Sequence, residues 1–104
     1  MQEIEDIYDQ INEELEDAEK YIHCAIDKKT ERPSLAETYY TLSLEEMKHV
    51  KALHDQVVTI IEEYKKEKGP PPERMMGRYE YAHKQCMKHA SDIKAMQVVY
   101  KDKG

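Results

Sequence analysis

The chain has 104 residues, of which 39% are hydrophobic and 37% are charged, and its formal net charge at pH 7 is −6. This length fits a single domain, 1–104, and the acidic balance argues against nucleic acid as a partner, because phosphate binding needs a basic surface. No apolar run approaches the length of a membrane span and no signal peptide opens the chain, so we expect a cytoplasmic protein with no membrane partner.

The first predicted helix covers about residues 3–28, where apolar residues recur at steps of three and four. Glu14 is the only charged residue in one stripe of this helix, which reads Ile4, Ile7, Ile11, Glu14, Ala18, Tyr21, Ala25. A carboxylate in an apolar stripe needs either water or a partner. Glu14 is therefore either an edge residue that reaches solvent or a candidate ligand.

The second predicted helix covers about residues 35–68, with Pro33 before it and Ser34 and Glu37 as a capping box. One face reads Leu35, Tyr39, Leu42, Glu46, His49, Leu53, Val57, Ile60, Tyr64, and a second stripe reads Met47, Val50, His54, Val57, Ile61. Glu46 and His49 interrupt the first stripe with the Glu-x-x-His spacing of carboxylate-bridged metal sites in helix bundles. The alternative is that they hydrogen-bond each other or lie at the edge of the buried face.

The third predicted helix covers about residues 73–101 and follows a turn formed by Gly69 and three prolines. Glu80 and His83 repeat the Glu-x-x-His spacing on this helix. With no strand signal in the sequence, the prediction is an all-α fold of three long antiparallel helices joined by short loops.

The heights of the candidate ligands along the bundle follow from the first turn, near residue 30. Glu14 lies about sixteen residues before this turn and Glu46 about sixteen after it, so an antiparallel hairpin places them at the same level. Carboxylate and imidazole ligands together suit iron, manganese or zinc. The sequence therefore predicts a transition-metal site, with Glu14, Glu46, His49, Glu80 and His83 as candidate ligands.

The stretch from Glu14 to His54 resembles the first two helices of the ferritin-like superfamily, in the manner of rubrerythrin. Glu14 stands seven residues before Tyr21 and thirty-two before Glu46 of Glu-x-x-His. The resemblance covers about forty residues. It implies that Glu14, Glu46 and His49 are metal ligands, with iron the first choice of metal, and that the protein has oxidase or peroxidase activity on iron.

The ferritin-like pattern also has a third helix with Glu and a fourth with Glu-x-x-His, whereas this chain has only one further helix. In a simple hairpin His83 lies roughly 20 Å along the axis from Glu46, too far to share its site. We therefore predict a homodimer that completes the bundle, with Glu80 and His83 arriving from the partner. The alternative is that His89 or Asp92 completes the site within one chain.

Two further interpretations remain open. His83-x-x-Cys86-x-x-His89, with His23 and Cys24, has donor types that bind zinc. In the second interpretation the chain is a small acidic helical adaptor without metal, and its buried polar groups only set helix register and partner choice. In the cytoplasm we expect Cys24 and Cys86 to stay reduced and unpaired.

Overall fold

The computed structural model describes residues 2–102, which form three helices in an up-down-up arrangement. They are α1 (Gln2–Lys28), α2 (Pro33–Lys68) and α3 (Glu73–Asp102). The described residues include no strand, so the predicted all-α class with three helices is confirmed. Within residues 2–102, none of the three helices is sufficiently long and apolar to pass through a bilayer.

The start of α2 differs from the prediction. The helix begins at Pro33, with Arg32 in the capping position and no side-chain hydrogen bond at the cap, so the predicted capping box of Ser34 and Glu37 does not form. Proline is well suited to the first helical position, because its fixed φ matches the helix and its missing N–H is not needed there. The backbone N–H of Ala36 already donates to the carbonyl of Arg32 at 2.9 Å.

α2 ends at Gly69, whose backbone N–H donates to the carbonyl of Lys65 at 3.0 Å. Gly69 has φ +81°, a conformation that side chains with a Cβ rarely adopt. Pro70 to Pro72 connect the two helices, and α3 starts at Glu73 and continues through Gly77.

α1 lies between the other two helices and packs along both of them, whereas α2 and α3 approach each other at few points. The main core follows the inner face of α1, and a smaller cluster closes the end of the bundle where α3 reaches the first turn. The fully buried members of α1 are Ile4, Ile11, Leu15, Ala18, Ile22 and Ala25. α1 is therefore the helix around which the other two are arranged.

The buried line of α2 is rotated from the predicted stripe. Leu35, the first residue of that stripe, is 41% exposed, and the most buried residues of α2 are Ala36, Ser43 and Val57. α2 packs mainly on α1 and touches α3 at few points, so its buried line is set chiefly by the contact with α1. Glu46 and His49 consequently lie at the margin of the buried face and not at its centre.

Buried hydrogen bonds centred on Ser43 join all three helices. The Ser43 hydroxyl donates to the carbonyl of Ala18 on α1 at 2.8 Å and accepts a hydrogen bond from the Gln97 amide on α3 at 3.0 Å. Each polar group is thereby satisfied inside the bundle, as burial requires. These two hydrogen bonds fix the relative heights of α1, α2 and α3 along the bundle.

Candidate metal centre

Glu14, Glu46 and His49 come together at the seam between α1 and α2. One ligand atom from each lies within 4.8 Å of the others. His49 Nδ1 is 3.2 Å from Glu14 Oε2 and 3.6 Å from Glu46 Oε1. The helices bring Glu14 to the level of Glu46, and the one-turn spacing of Glu46 and His49 puts both side chains on the same side of α2.

The pKa values of the two carboxyl groups in this cluster are shifted in opposite directions. The pKa of Glu46 is raised from 4.5 to about 7, first by its hydrogen bond to Glu14, and then by burial and by the negative charge of Glu14. The pKa of Glu14 is lowered, chiefly because it accepts the hydrogen bond from Glu46 and also because His49 is close. Two like charges held this close favour one neutral and one ionised carboxyl.

The cluster opens to solvent on the side of the bundle away from α3. The side chain of Glu46 is 17% exposed, that of Glu14 29% and that of His49 58%. At 100° per residue, Glu46 and His49 point about 140° away from the mean direction of Met47, Lys51 and His54, which border the gap toward α3. α3 consequently leaves this face uncovered.

Half-buried apolar side chains continue the same two lines on either side of the cluster. Ile7 and Tyr21 lie seven residues before and after Glu14 on α1, and Leu42 and Leu53 flank Glu46 and His49 on α2. The face around the three polar groups is therefore apolar and only partly covered within one chain.

The second Glu-x-x-His motif is not at this site. His83 Nδ1 lies 3.1 Å from His54 Nε2, one helical turn and more beyond His49, and Glu80 is exposed beside it. Since His83 already has a partner in its own chain, the geometry does not favour its delivery, with Glu80, to the Glu14 cluster of a second subunit.

Neither alternative from α3 completes the site within residues 2–102. His89 Nε2 lies 2.6 Å from Glu19 Oε1 on α1, and Asp92 is an exposed residue. The only group of three or more His, Cys, Asp or Glu donors at ligand distance in this part of the chain is Glu14, Glu46 and His49.

The zinc arrangement around Cys86 is also absent from the described residues. The Cys86 thiol contacts Asn12 Oδ1 at 3.5 Å, and burial raises its pKa, which disfavours the thiolate that a metal needs. Cys24 and Cys86 are both free thiols in the structure.

His54 is the residue of chemical interest that the sequence motif did not single out. It belongs to the second apolar stripe of α2, beside Met47 and Val50, and it lacks a carboxylate three or four residues before it on that face. Its position in an apolar stripe was the available signal, because a half-buried imidazole needs a polar partner.

Comparisons of the chain with protein-family models, with curated proteins and with solved structures give no match. The assignment of a function therefore depends on the chemistry of the cluster itself. Two carboxylates and an imidazole, two of them on adjacent turns of one helix, are a donor set that suits iron, manganese or zinc. Ionisation of both carboxyls gives two negative charges, which balance one divalent cation.

Proposed function

We propose that the protein binds a divalent transition metal through Glu14, Glu46 and His49, and that two copies complete a ferritin-like bundle around the site. The observation that carries this proposal is the convergence of the three donors within 4.8 Å. The raised pKa of Glu46 favours its protonated form beside Glu14, and a cation held by both carboxylates would take the place of that proton. Metal binding would therefore release this proton, as is usual for carboxylate sites.

The donor set favours iron or manganese over softer ions. Oxygen donors outnumber nitrogen by two to one, and no thiolate takes part in the cluster. The exposure of His49 leaves room for water or another ligand in the remaining coordination positions. A pair of iron ions held by such sites would supply the oxidase or peroxidase chemistry that the ferritin-like resemblance implies.

The number of ligands supports a twofold arrangement. A di-metal site in a ferritin-like bundle needs one Glu from each of two helices and one Glu-x-x-His from each of the other two. One chain offers half of this set on α1 and α2, and two chains offer all of it. Four carboxylates from two copies would balance two divalent ions.

The same geometry revises the source of the partner's ligands. The predicted trans arrangement used Glu80 and His83, whereas the present proposal pairs the α1–α2 face of one subunit with the same face of the other. This face carries the cluster, and the half-buried Ile7, Tyr21, Leu42 and Leu53 surround it. An isologous contact of this kind is the commonest way in which two identical chains associate.

Metal content and thermal stability test the proposal directly. Protein purified without chelator should contain iron or manganese, and added Mn²⁺ or anaerobic Fe²⁺ should raise its Tm by ligand linkage. Glu14→Gln, Glu46→Gln and His49→Gln should each lose both effects. Glu45→Gln is the matched control, because Glu45 is an exposed neighbour that takes no part in the cluster.

The competing function is an acidic helical adaptor without metal. The His49 to Glu14 contact favours it, because the cluster already satisfies part of its own hydrogen bonding. A metal-free protein after growth with iron, manganese and zinc, with no change in Tm on adding any of them, would support the adaptor and reject the metal site.

A further inference from the structure

His54 of α2 and His83 of α3 face each other across the gap between their helices. Their nearest ring nitrogens, His54 Nε2 and His83 Nδ1, are 3.1 Å apart, and the ring centroids are separated by 4.9 Å with a tilt of 34°. Both rings are half-buried. This contact joins two helices that otherwise touch at few points.

The pair forms a wall between two solvent-connected hollows. One hollow, of about 600 Å³, follows the gap between α2 and α3 over Ile11, and its apolar walls include Met47, Val50 and Met87. The other, of about 250 Å³, lies toward Tyr8 and Tyr79. His54 and His83 line both hollows, so water and small ions can reach the two rings from either side.

We propose that His54 and His83 form a second metal site, separate from the Glu14 cluster, that takes a borderline cation of the zinc, copper or nickel type. Two imidazole nitrogens bound to one tetrahedral Zn²⁺ at 2.0–2.1 Å lie about 3.3 Å from each other. The observed 3.1 Å separation is close to this value. In the hydrogen bond one of these two nitrogens carries a proton, so metal binding would move that proton to the other nitrogen of the same ring and leave both facing lone pairs for one ion.

The pKa of His54 is shifted in the direction that favours this role. Burial lowers the pKa of His54, and the neighbouring His83 lowers it further. Uncharged imidazole is the form that binds a metal.

The composition of the pair determines which metals it prefers. In the described part of the chain, no Cys, Asp or Glu joins these two nitrogens to make a third donor at ligand distance. Asp55 borders the larger hollow but is paired with Lys51 at 3.0 Å, and Glu80 borders the smaller hollow together with Lys84, so neither carboxylate replaces the water ligands. A neutral nitrogen pair with water ligands suits zinc, copper and nickel better than iron(II) or manganese.

A bound ion would tie α3 to α2 beside the larger hollow. The inference does not depend on the function proposed for Glu14, Glu46 and His49. Its physical consequence is a bundle in which α3 is held by α1 through packing and by α2 through the metal.

The experiment uses the full-length chain with Glu46→Gln, which disables the first site. His54→Gln or His83→Asn is then added to this Glu46→Gln chain. Each protein is titrated with Zn²⁺ in a calorimeter, and its melting curve is recorded with and without Zn²⁺. Glutamine places its amide near the position of Nε2 and asparagine near that of Nδ1, so each variant keeps a polar contact between the helices but loses an imidazole ligand. His23→Gln is the control, because His23 is an exposed histidine distant from both sites along α1.

We expect one Zn²⁺ per Glu46→Gln chain and a rise in Tm on binding. His54→Gln and His83→Asn should each weaken the affinity at least about tenfold, equivalent to about 1.4 kcal/mol, and should abolish the rise in Tm, whereas His23→Gln should change neither. Zinc binding that survives both substitutions, or a Glu46→Gln chain that binds no zinc, would overturn the site and leave a simple hydrogen bond between two neutral rings. If the wild-type chain binds neither Mn²⁺ nor Fe²⁺, only the site proposed at Glu14, Glu46 and His49 is contradicted.

Discussion

Replacing Glu46 with Gln should make the metal-free protein more stable at alkaline pH while removing a ligand of the proposed metal site. Glu46 has a pKa of about 7 in the folded chain, against 4.5 ordinarily. A raised carboxyl pKa stabilises the fold below pH 4.5, and this contribution is lost as pH rises through 7. A neutral amide can keep the hydrogen bond to Glu14 at every pH, so the variant avoids the repulsion between two carboxylates.

The size of the effect follows from the pKa. A rise from 4.5 to about 7 corresponds to about 3 kcal/mol once Glu46 is fully ionised. Solvent reaches this edge of the bundle and screens the repulsion, so we expect a gain of about 1–2 kcal/mol at pH 8.5. In a domain of this length that is a rise in Tm on the order of 10 °C. At pH 5 the two proteins should be nearly equal, because Glu46 is then protonated in the folded wild type.

The assay is urea or thermal unfolding in EDTA at pH 5, 7 and 8.5, followed by repetition with Mn²⁺ in place of chelator. Glu45→Gln serves as the control and should show no such crossover. With Mn²⁺ the order should reverse at pH 8.5, since only the wild type gains stability from the ion. The argument is refuted if Glu46→Gln is less stable than wild type at pH 8.5 in EDTA, or if its advantage is the same at pH 5.

Other substitutions test the buried hydrogen bonds of Ser43 and the glycines at the end of α2 and in α3. Ser43→Ala should lower the free energy of unfolding by about 1–3 kcal/mol, because the buried Gln97 amide loses its acceptor. Ser91→Ala, at an exposed serine, should have little effect. Equal unfolding curves for the two variants would contradict the role of Ser43. Gly77→Ala should stabilise the chain by about 0.5–1 kcal/mol, because Gly77 lies inside α3 with no atom within 4 Å of an added Cβ. Gly69→Ala should instead destabilise the chain by about 1 kcal/mol or more, because the open space there does not relieve the strain of φ +81°. Denaturant melts should therefore show changes of opposite sign in the free energy of unfolding for the two glycine variants. A gain in stability for Gly69→Ala would argue against a strained cap.

The level of Glu14 with Glu46 was accessible from the sequence, because it depends only on the position of the first turn and the rise per residue. The same arithmetic separated His83 from Glu46 but overstated the distance, because in the structure His83 lies opposite His54, eight residues or about 12 Å along α2 from Glu46. These quantities run along the helix axes, where each residue adds a fixed length.

The rotation of each helix about its axis was harder to predict. α2 has two apolar stripes, and the sequence does not state which of them faces α1. Ser43 and Gln97 were missed for a related reason: polar residues do not register as core in a hydrophobic pattern, although their hydrogen bonds let them lie inside the bundle. The predicted start of α2, near residue 35, is about two residues late, because proline usually interrupts a helix but is favoured in the first turn, where Pro33 lies.

Two surfaces compete as the contact of a homodimer, and their charges distinguish them. The larger hollow between α2 and α3 is apolar at its base, but Lys48, Lys51 and Lys94 border it. Asp55 is the one carboxylate among the lining residues and already pairs with Lys51 at 3.0 Å, so pairing two such surfaces would bring Lys48 and Lys94 together without a compensating ion. The α1–α2 face brings carboxylates together, and a divalent cation removes that repulsion. Dimerisation through the α1–α2 face should therefore require metal.

Light scattering during size exclusion measures this dependence. With Mn²⁺ or anaerobic Fe²⁺ the mass should be twice the 12.3 kDa of one chain, and in EDTA it should return to one chain. Leu42→Glu should prevent the metal-dependent dimer, because Leu42 lies half-buried beside Glu46 on the proposed contact face. Met87→Glu is the matched control in the larger hollow, where Met87 is exposed, and should leave the dimer intact. A dimer that persists in EDTA and is broken by Met87→Glu would place the contact on the α2–α3 side and show that the metal cluster does not drive association.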